Sequence, residues 1–364
     1  MFNIKKQLSK LYSSSVLGDL SLTGAWVAIL AARGYSLVEI GIAETVFHIT
    51  SLIFEIPSGI LADVFGRKKM LIISSIMRMI GNIIMILSDN LFMVCLSIAF
   101  HALSYNFSSG SSDALAYDSL KLAGLENKFE KYESNQLIIY RLCSGFSTLC
   151  AGFALFIGHK IAYGADLITG IVQIMVLSSV HEIYAASAPK DIHNQTFIKL
   201  IACFRESFIF LMKVRKAFGL MICNSLIGAV DILLLFFLQA KLPQKGIPEW
   251  CLGIALLFME IGGIAGSKLI LKFPKLRYMH VFIITALFVS AGFLAEHSPL
   301  YIIMILGGFL SAMGDDALQV RTNTILQNMF PSEQRATLTS VESFTFSLIM
   351  IILSPLAGFI FTIW

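Results

Sequence analysis

Charged residues are scarce in this sequence. Only 14% of its 364 residues are Asp, Glu, Lys or Arg, whereas about a quarter of a soluble domain is charged. Hydrophobic residues make up 57% of the chain, and the mean hydropathy is +0.79. Too few polar side chains remain to cover a water-exposed surface of this size. This excludes a cytosolic enzyme, a nucleic-acid-binding module and a disordered chain, and it indicates an all-α polytopic membrane protein.

Motifs for catalysis, metal binding and nucleotide binding are also missing. None of the six cysteines forms a CxxC pair, and neither HExxH nor GxxxxGK[ST] occurs. We therefore expect no enzymatic activity, no cofactor, no metal site and no nucleic-acid partner. The cysteines are interpreted as small buried hydrophobic residues.

Eleven stretches are long and apolar enough to cross a bilayer, which takes about 20 residues. They must be helices, because unpaired backbone groups are too costly in lipid. The predicted spans lie near residues 11–32, 38–62, 70–88, 91–118, 134–158, 161–181, 217–240, 248–271, 279–297, 299–328 and 335–362.

The positions of the basic residues predict the orientation. With a cytoplasmic N-terminus, the outer segments hold only Arg33, Lys160, Lys241 and Lys245, and nearly all other lysines and arginines fall on the inner side. Basic residues concentrate on the cytoplasmic side of membrane proteins. The sequence therefore predicts a multi-pass protein of the plasma (inner) membrane with its N-terminus in the cytoplasm.

A polar stretch divides the spans into two groups. Residues 182–216 read as a cytoplasmic linker that ends in an amphipathic helix, between an N-terminal six-helix bundle (1–181) and a C-terminal bundle (217–364). Residues 21–30 match residues 225–234 at five of ten positions, which indicates a duplicated unit. The duplication places a twelfth span near the last residue and beyond, so we expect the second bundle to have five helices here, with the twelfth missing.

The loop after the second span carries the most specific motif. Residues 59–69, GILADVFGRKK, fit the pattern GxxxDxxGR(K/R)(K/R) and resemble the signature loop of the major facilitator superfamily (MFS). Residues 117–120 (YDSL) and 331–337 (PSEQRAT) are similar to its bacterial efflux-type members. A helix-5 Gly-Pro pair typical of its proton antiporters is absent. The gating motif implied by the resemblance consists of Gly59, Asp63, Gly66, Arg67 and Asp118, with the three charged residues forming an ion cluster on the inner surface.

Polar residues inside the spans are the candidates for a substrate or proton cavity, because ionisable groups avoid lipid. One face of the second span carries a polar stripe of Glu44, His48, Ser51 and Glu55, which either lines a cavity or forms an interhelical hydrogen-bond ladder. Asp113 and Arg141 are expected at similar depth as a charge pair, either structural or sensitive to substrate. Trp26 is a candidate for an aromatic wall. The full set of candidates is Asp19, Trp26, His48, Glu55, Asp113, Arg141 and Asp231.

The resemblance implies two pseudo-symmetric six-helix bundles and secondary active transport of a small molecule by alternating access. Efflux of a small amphiphilic compound is the preferred hypothesis, with protons as a candidate coupling ion and a monomer in the lipid bilayer. Import of a nutrient such as a sugar, peptide or organic acid is the alternative. A truncated membrane protein without transport activity is a hypothesis of another class.

Overall fold

The computed structural model describes residues 3–109, 111–183, 214–329 and 335–363. These residues form helices and loops, with one 3₁₀ turn at Glu126–Lys128. The first nine helices are α1 (Ile4–Asp19), α2 (Trp26–Ala32), α3 (Leu37–Phe65), α4 (Arg67–Leu87), α5 (Leu91–Ser108), α6 (Ser111–Leu122), α7 (Phe129–Leu149), α8 (Ala151–Ile157) and α9 (His159–Ser178). The others are α10 (Arg215–Gln244), α11 (Glu249–Leu271), α12 (Tyr278–Ala295), α13 (Tyr301–Met329) and α14 (Arg335–Ile363).

The prediction of an all-helical, multi-span chain is confirmed. In the described parts of the chain, nine helical stretches are long and apolar enough to cross a membrane, and a bent pair formed by α7 and α8 raises this to ten. Most of the predicted spans coincide with a helix or a helix pair to within a few residues. Most of the predicted linker, residues 184–213, lies outside the described residues.

Three predicted spans are interrupted. The first consists of α1 and α2, separated by the non-helical residues 20–25. The fourth divides into α5 and α6, and the fifth bends by 48° between α7 and α8. Hydropathy alone gives no sign of such breaks, because the loop residues are themselves mostly apolar or small.

The turn between α3 and α4 depends on Gly66. Its φ of +98° lies in the left-handed region, which residues with a Cβ atom rarely adopt. The glycine therefore ends α3 and lets α4 begin at the next residue. This is the turn that the signature motif predicts.

The described chain separates into two compact units. Unit 1 comprises Met1–Gly24, Val46–Cys150 and Ile157–Leu200, and unit 2 comprises Ala25–Thr45, Ala151–Phe156 and Ile201–Trp364. The core of unit 1 joins α1, α4, α6, α7 and α9 through Leu11, Leu71, Leu115, Leu120, Tyr132 and Leu177. One core of unit 2 joins α10, α13 and α14 through Met221, Leu326 and Val341.

Within unit 2, α3 and α14 meet at glycines. A Cβ atom at Gly41 would overlap the backbone carbonyl of Ser354, and one at Gly358 would overlap the carbonyl of Leu37. Small residues at such positions let helix backbones approach closely. We call this contact the α3–α14 seam.

A hydrogen bond across the seam compensates for a proline. Pro355 lies inside α14 and has no N–H to donate to the carbonyl of Ile351, four residues earlier. The Thr45 hydroxyl donates to that oxygen at 3.3 Å as well as to the Gly41 carbonyl at 3.0 Å. The early turns of α3 therefore help to satisfy a backbone group that the proline leaves without its helical partner.

Candidate functional site

Unit 1 contains a cavity of about 630 Å³. Its wall is formed by the end of α1, the first half of α4, the junction of α5 and α6, the first half of α7 and the second half of α9. Pockets for small ligands commonly measure about 300–1,000 Å³. The volume therefore suits a small molecule of the size of a monosaccharide or a dipeptide.

The cavity wall is strongly polar. Eight serines contribute to it, namely Ser14, Ser15, Ser74, Ser75, Ser104, Ser108, Ser109 and Ser112. Charged and other polar side chains are Asp19, Arg78, His101, Tyr105, Asp113, Gln136, Tyr140 and Gln173. Among the described lining residues, Leu71 is the one aliphatic side chain. Most ligand pockets are lined mainly by apolar groups with a few polar ones, so this wall favours a ligand that forms many hydrogen bonds.

The break between α1 and α2 is stabilised by Asp166 on α9. This carboxylate is only 6% exposed and accepts hydrogen bonds from the Ser21 hydroxyl at 2.5 Å, the Leu22 N–H at 2.9 Å and the Thr23 hydroxyl at 2.6 Å. The Ser21 N–H donates to the Ser147 hydroxyl at 3.0 Å. Non-helical backbone at membrane depth is tolerated where protein groups satisfy it, and here one buried carboxylate supplies most of the acceptors.

Arg78 on α4 stabilises the other side of the same break. Its guanidinium donates to the Gly18 carbonyl, and also to the Leu17 carbonyl at 3.4 Å and to Gln173 Oε1 at 2.6 Å. A cation at the C-terminal end of a helix is favoured by the helix dipole. Arg78 therefore holds the end of α1 in place beside the cavity.

Two cavity carboxylates carry no such partners. Asp19 is the last residue of α1, and Asp113 lies in the first turn of α6. Neither forms a hydrogen bond or an ion pair through its carboxylate with any residue that the structure describes. Both belong to the set of predicted cavity residues, and both lie in the wall.

The predicted pair between Asp113 and Arg141 is not formed in this structure. The Arg141 side chain is exposed, and it does not belong to the described cavity wall. Equal depth on two neighbouring helices does not bring side chains together when they point in different directions around their helix axes.

The other predicted cavity residues lie elsewhere. Trp26 belongs to unit 2 and packs edge-on against Phe236, with the ring centroids 5.7 Å apart. Asp231, 4% exposed, accepts a hydrogen bond from Ser311 in unit 2. His48 is buried and Glu55 half-buried in α3, and neither is part of the described cavity wall.

The polar stripe of α3 is partly an interhelical ladder. The Ser51 hydroxyl donates to Asn106 Oδ1 at 2.8 Å, and Asn106 Nδ2 donates to the Ser51 carbonyl at 2.6 Å. This reciprocal pair joins α3 to α5. At Ser51, the polar stripe therefore forms the interhelical hydrogen bonds that were one of its two predicted roles.

Two residues of the predicted gating motif form an ion pair. The Arg67 guanidinium binds the Asp118 carboxylate and also donates to the Ala114 carbonyl at 2.8 Å. The two side chains are 21% and 17% exposed, so the pair is partly shielded from solvent. Gly59 and Asp63 lie in the last turns of α3, and the Asp63 side chain is outside the described side chains.

Glu182, just after α9, caps α4. Its Oε2 accepts a hydrogen bond from the Lys68 N–H at 3.0 Å, and a Cβ atom at Gly66 would lie 2.7 Å from the same oxygen. Lys68 in turn donates through Nζ to the Ser178 carbonyl at 2.7 Å. The signature turn is thus bound to the end of α9, from which the predicted linker continues.

Removing this cap is expected to weaken unit 1. Glu182→Ala should lower the free energy of unfolding by about 0.5–2 kcal/mol, as measured for lost helix N-caps. The measurement is thermal unfolding of the purified full-length protein in detergent. Glu182→Gln should recover part of the loss because the amide oxygen still accepts, and Glu126→Ala, at an exposed position, should have no effect. Equal unfolding temperatures for all three variants would contradict the cap.

Sequence reasoning missed several residues of the site. Asp166 is an acidic residue in the middle of a predicted span, and the criterion that selected Asp19 would also have selected it. Gln136 and Gln173 are polar residues in spans as well. The serines leave a fainter signal, since Ser104, Ser108 and Ser112 recur at a spacing of four, as expected for one face of a helix.

Known proteins share both sequence and fold with this chain. The profile of the Major Facilitator Superfamily matches residues 11–123. A Bacillus subtilis (strain 168) protein, the uncharacterized MFS-type transporter YxaM, is 23% identical over 350 residues, which cover 92% of this chain and 84% of the relative. The resemblance to the major facilitator superfamily therefore extends over most of this chain.

Solved structures of MFS transporters have the same fold. The nucleoside transporter NupG superimposes with a TM-score of 0.75 at 15% identity, over 99% of this chain and 91% of NupG. A D-xylose-proton symporter gives 0.67 at 11% identity, over 97% and 88% of the two chains. A peptide transporter, POT, gives 0.70 at 14% identity, over 97% and 88%. The predicted fold class and the predicted resemblance to that superfamily are confirmed, while the efflux type and the missing twelfth helix stay predictions.

Proposed function

We propose that this protein moves a small polar solute across the plasma (inner) membrane by alternating access, with its N-terminus in the cytoplasm. The observation that carries the proposal is the polar cavity of about 630 Å³ in unit 1, in a chain with an MFS transporter fold. The cavity is bordered by the broken first span. Discontinuous helices at membrane depth are typical of substrate sites in secondary transporters.

The lining supports a polar substrate over the amphiphilic compound expected from the sequence. The wall's serine, tyrosine, glutamine and aspartate side chains supply many hydrogen-bonding groups. The neighbours described as nucleoside, D-xylose and peptide transporters agree with a solute that forms many hydrogen bonds. Export stays the preferred direction, on the motif resemblance alone, and import is the alternative.

The moving parts that we propose are the two predicted bundles, 1–181 and 217–364, connected by 182–216. The Arg67–Asp118 pair acts as a latch at the signature turn, and the α3–α14 seam opens and closes during the cycle. Energy comes from an ion or solute gradient, with protons as the candidate ion.

Solute counterflow tests the proposal without knowledge of the energy source. Proteoliposomes containing the protein are loaded with an unlabelled hexose, nucleoside or dipeptide, and entry of the same labelled solute is followed. At least one solute of the panel should exchange faster than in protein-free liposomes. No exchange with any polar solute, together with exchange of an amphiphilic probe, would refute the polar substrate. No exchange of any kind would favour a membrane protein without transport activity.

Loss of the latch is expected to slow exchange. Asp118→Asn removes a charge-assisted interaction of about 1.5–3 kcal/mol. Because 1.4 kcal/mol corresponds to a tenfold change in an equilibrium, we expect the rate of solute exchange to fall about tenfold. The charge-swapped double variant Arg67→Asp/Asp118→Arg should recover part of the rate, and Asp89→Asn, at an exposed loop position, should keep all of it. Wild-type exchange in Asp118→Asn would refute the latch and leave the transport proposal standing.

A further inference from the structure

We infer that the cavity of unit 1 selects a cationic solute, namely a protonated amine that also carries hydroxyl groups. The inference rests on the proposed function and names the substrate class of the same site. It follows from the difference between the charges in the wall that already have protein partners and those that do not.

The positive charge of Arg78 is already used by the protein. Its guanidinium donates to two carbonyls at the end of α1 and to Gln173 Oε1. These bonds hold the broken span, so an anionic ligand would have to compete with structural contacts. The Arg78 Nε–H has no described partner but is buried, so a carboxylate or phosphate group of a ligand would have to displace the contacts that hold the break.

The negative charges of the wall form fewer contacts with the protein. Asp19 and Asp113 lie on different helices, and their carboxylates form no hydrogen bond or ion pair with a described residue, while Arg78 attracts Asp19 electrostatically. The Asp19 side chain is half-buried, and that of Asp113 is exposed, so a ligand in the cavity can reach them. Two carboxylates therefore face one guanidinium in the described wall, and a bound cation would offset the excess negative charge.

The neutral groups of the wall also favour a ligand rich in hydrogen-bond donors. Several serine hydroxyls already donate to carbonyl oxygens, among them Ser15 to Leu11 at 3.2 Å, Ser74 to Ser104 at 2.7 Å and Ser108 to Tyr105 at 2.9 Å. Each hydroxyl oxygen has two lone pairs, and those that a protein donor does not occupy, as Gln136 Nε2 occupies one at Ser15, remain available as acceptors.

The Gln136 amide uses its donor and leaves its acceptor without a described partner. Its Nε2 donates to the Ser15 and Tyr132 hydroxyls at 2.8 and 2.7 Å, whereas its buried Oε1 has no hydrogen-bond partner in the described structure. Serine oxygens and two carboxylates thus give the wall acceptors and negative charge. Its chemical complement is an ammonium group, with three donors, on a molecule that carries further O–H donors.

Three sugars of one ring size isolate the effect of charge. Glucosamine is cationic slightly below neutral pH, glucose is neutral and glucuronate is anionic. Their affinities for the full-length protein in detergent are obtained from the concentration dependence of the unfolding temperature. We expect glucosamine to bind at least about tenfold more tightly than glucose, a ratio that corresponds to 1.4 kcal/mol, and glucuronate to bind most weakly.

The preference should depend on the two carboxylates. In Asp19→Asn and Asp113→Asn the ratio of glucosamine to glucose affinity should fall, and in the double variant it should approach one, whereas Asp89→Asn should keep the wild-type ratio. The wild-type protein alone can overturn the inference, even if the variants fail to fold. It would do so by binding glucosamine and glucose with equal affinity, by preferring glucuronate, or by binding none of the three.

The two experiments distinguish a failure of the charge selection from a failure of the proposed transport function. Counterflow of a neutral solute without a preference for glucosamine would refute the charge selection and leave transport intact. Selective binding of glucosamine without counterflow of any solute would support the charge selection and refute transport.

Discussion

Asp166→Ala is expected to destabilise the protein by about 3–5 kcal/mol, the loss measured when one partner of a buried charged network is removed. Four hydrogen bonds from the break between α1 and α2 end on this carboxylate. Without it, the Leu22 N–H loses its acceptor at membrane depth, where water cannot replace it. Arg78, which interacts electrostatically with Asp166, also loses its nearby counter-charge.

Thermal unfolding in detergent, with the monodisperse fraction from size-exclusion chromatography, measures the effect. Asp166→Asn should be intermediate, because one amide oxygen can still accept while the amide nitrogen cannot. Asp89→Ala removes an exposed carboxylate of the same length and should change the free energy of unfolding by less than about 0.5 kcal/mol. An Asp166→Ala protein as stable as this control would show that the break does not depend on Asp166.

Gly41→Leu is expected to reduce transport about tenfold or more by keeping the α3–α14 seam apart. The new side chain would occupy the position of the Ser354 carbonyl, a backbone atom that cannot move aside alone. Overpacking of this kind costs about 1–3 kcal/mol, and every 1.4 kcal/mol shifts a conformational equilibrium tenfold. A transporter that cannot form the seam loses one of the states through which alternating access must pass.

Matched glycines provide the control for this experiment. Gly219 in α10 and Gly164 in α9 have open space where a Cβ atom would lie, so Gly219→Leu and Gly164→Leu should exchange solute at the wild-type rate. Gly358→Leu, on the other side of the seam, should behave as Gly41→Leu does. Normal counterflow in Gly41→Leu would mean that the seam is static packing and takes no part in the cycle.

The comparison of predicted and observed residues follows a physical pattern. Asp19 and Asp113 were selected from the sequence because a charged side chain inside an apolar span avoids lipid, and a polar cavity is one environment that accommodates it. Asp166 is also a charged residue inside a predicted span, but it accepts hydrogen bonds from the non-helical residues between α1 and α2. The sequence does not distinguish these two roles, because both require an aspartate in a span.

The error at Asp113 and Arg141 has a similar origin. Position along a span can be estimated from the number of residues to its end, but the direction of a side chain around the helix axis changes by 100° per residue. A pair inferred from depth alone therefore fails when the two side chains point in different directions around their helix axes.

By itself the sequence determined that this chain is a helical membrane protein, where most of its spans lie, and that its signature turn brings Gly66 and Arg67 to the start of α4. These properties follow from hydrophobicity and backbone conformation, which act over a few consecutive residues. Only the tertiary structure decided that the first span is broken, that Arg78 and Asp166 stabilise the break, and that the Asp19 and Asp113 carboxylates form no hydrogen bond or ion pair with the described residues. Those outcomes depend on which helix faces pack against each other. The packing is determined by contacts between residues that are distant in the chain.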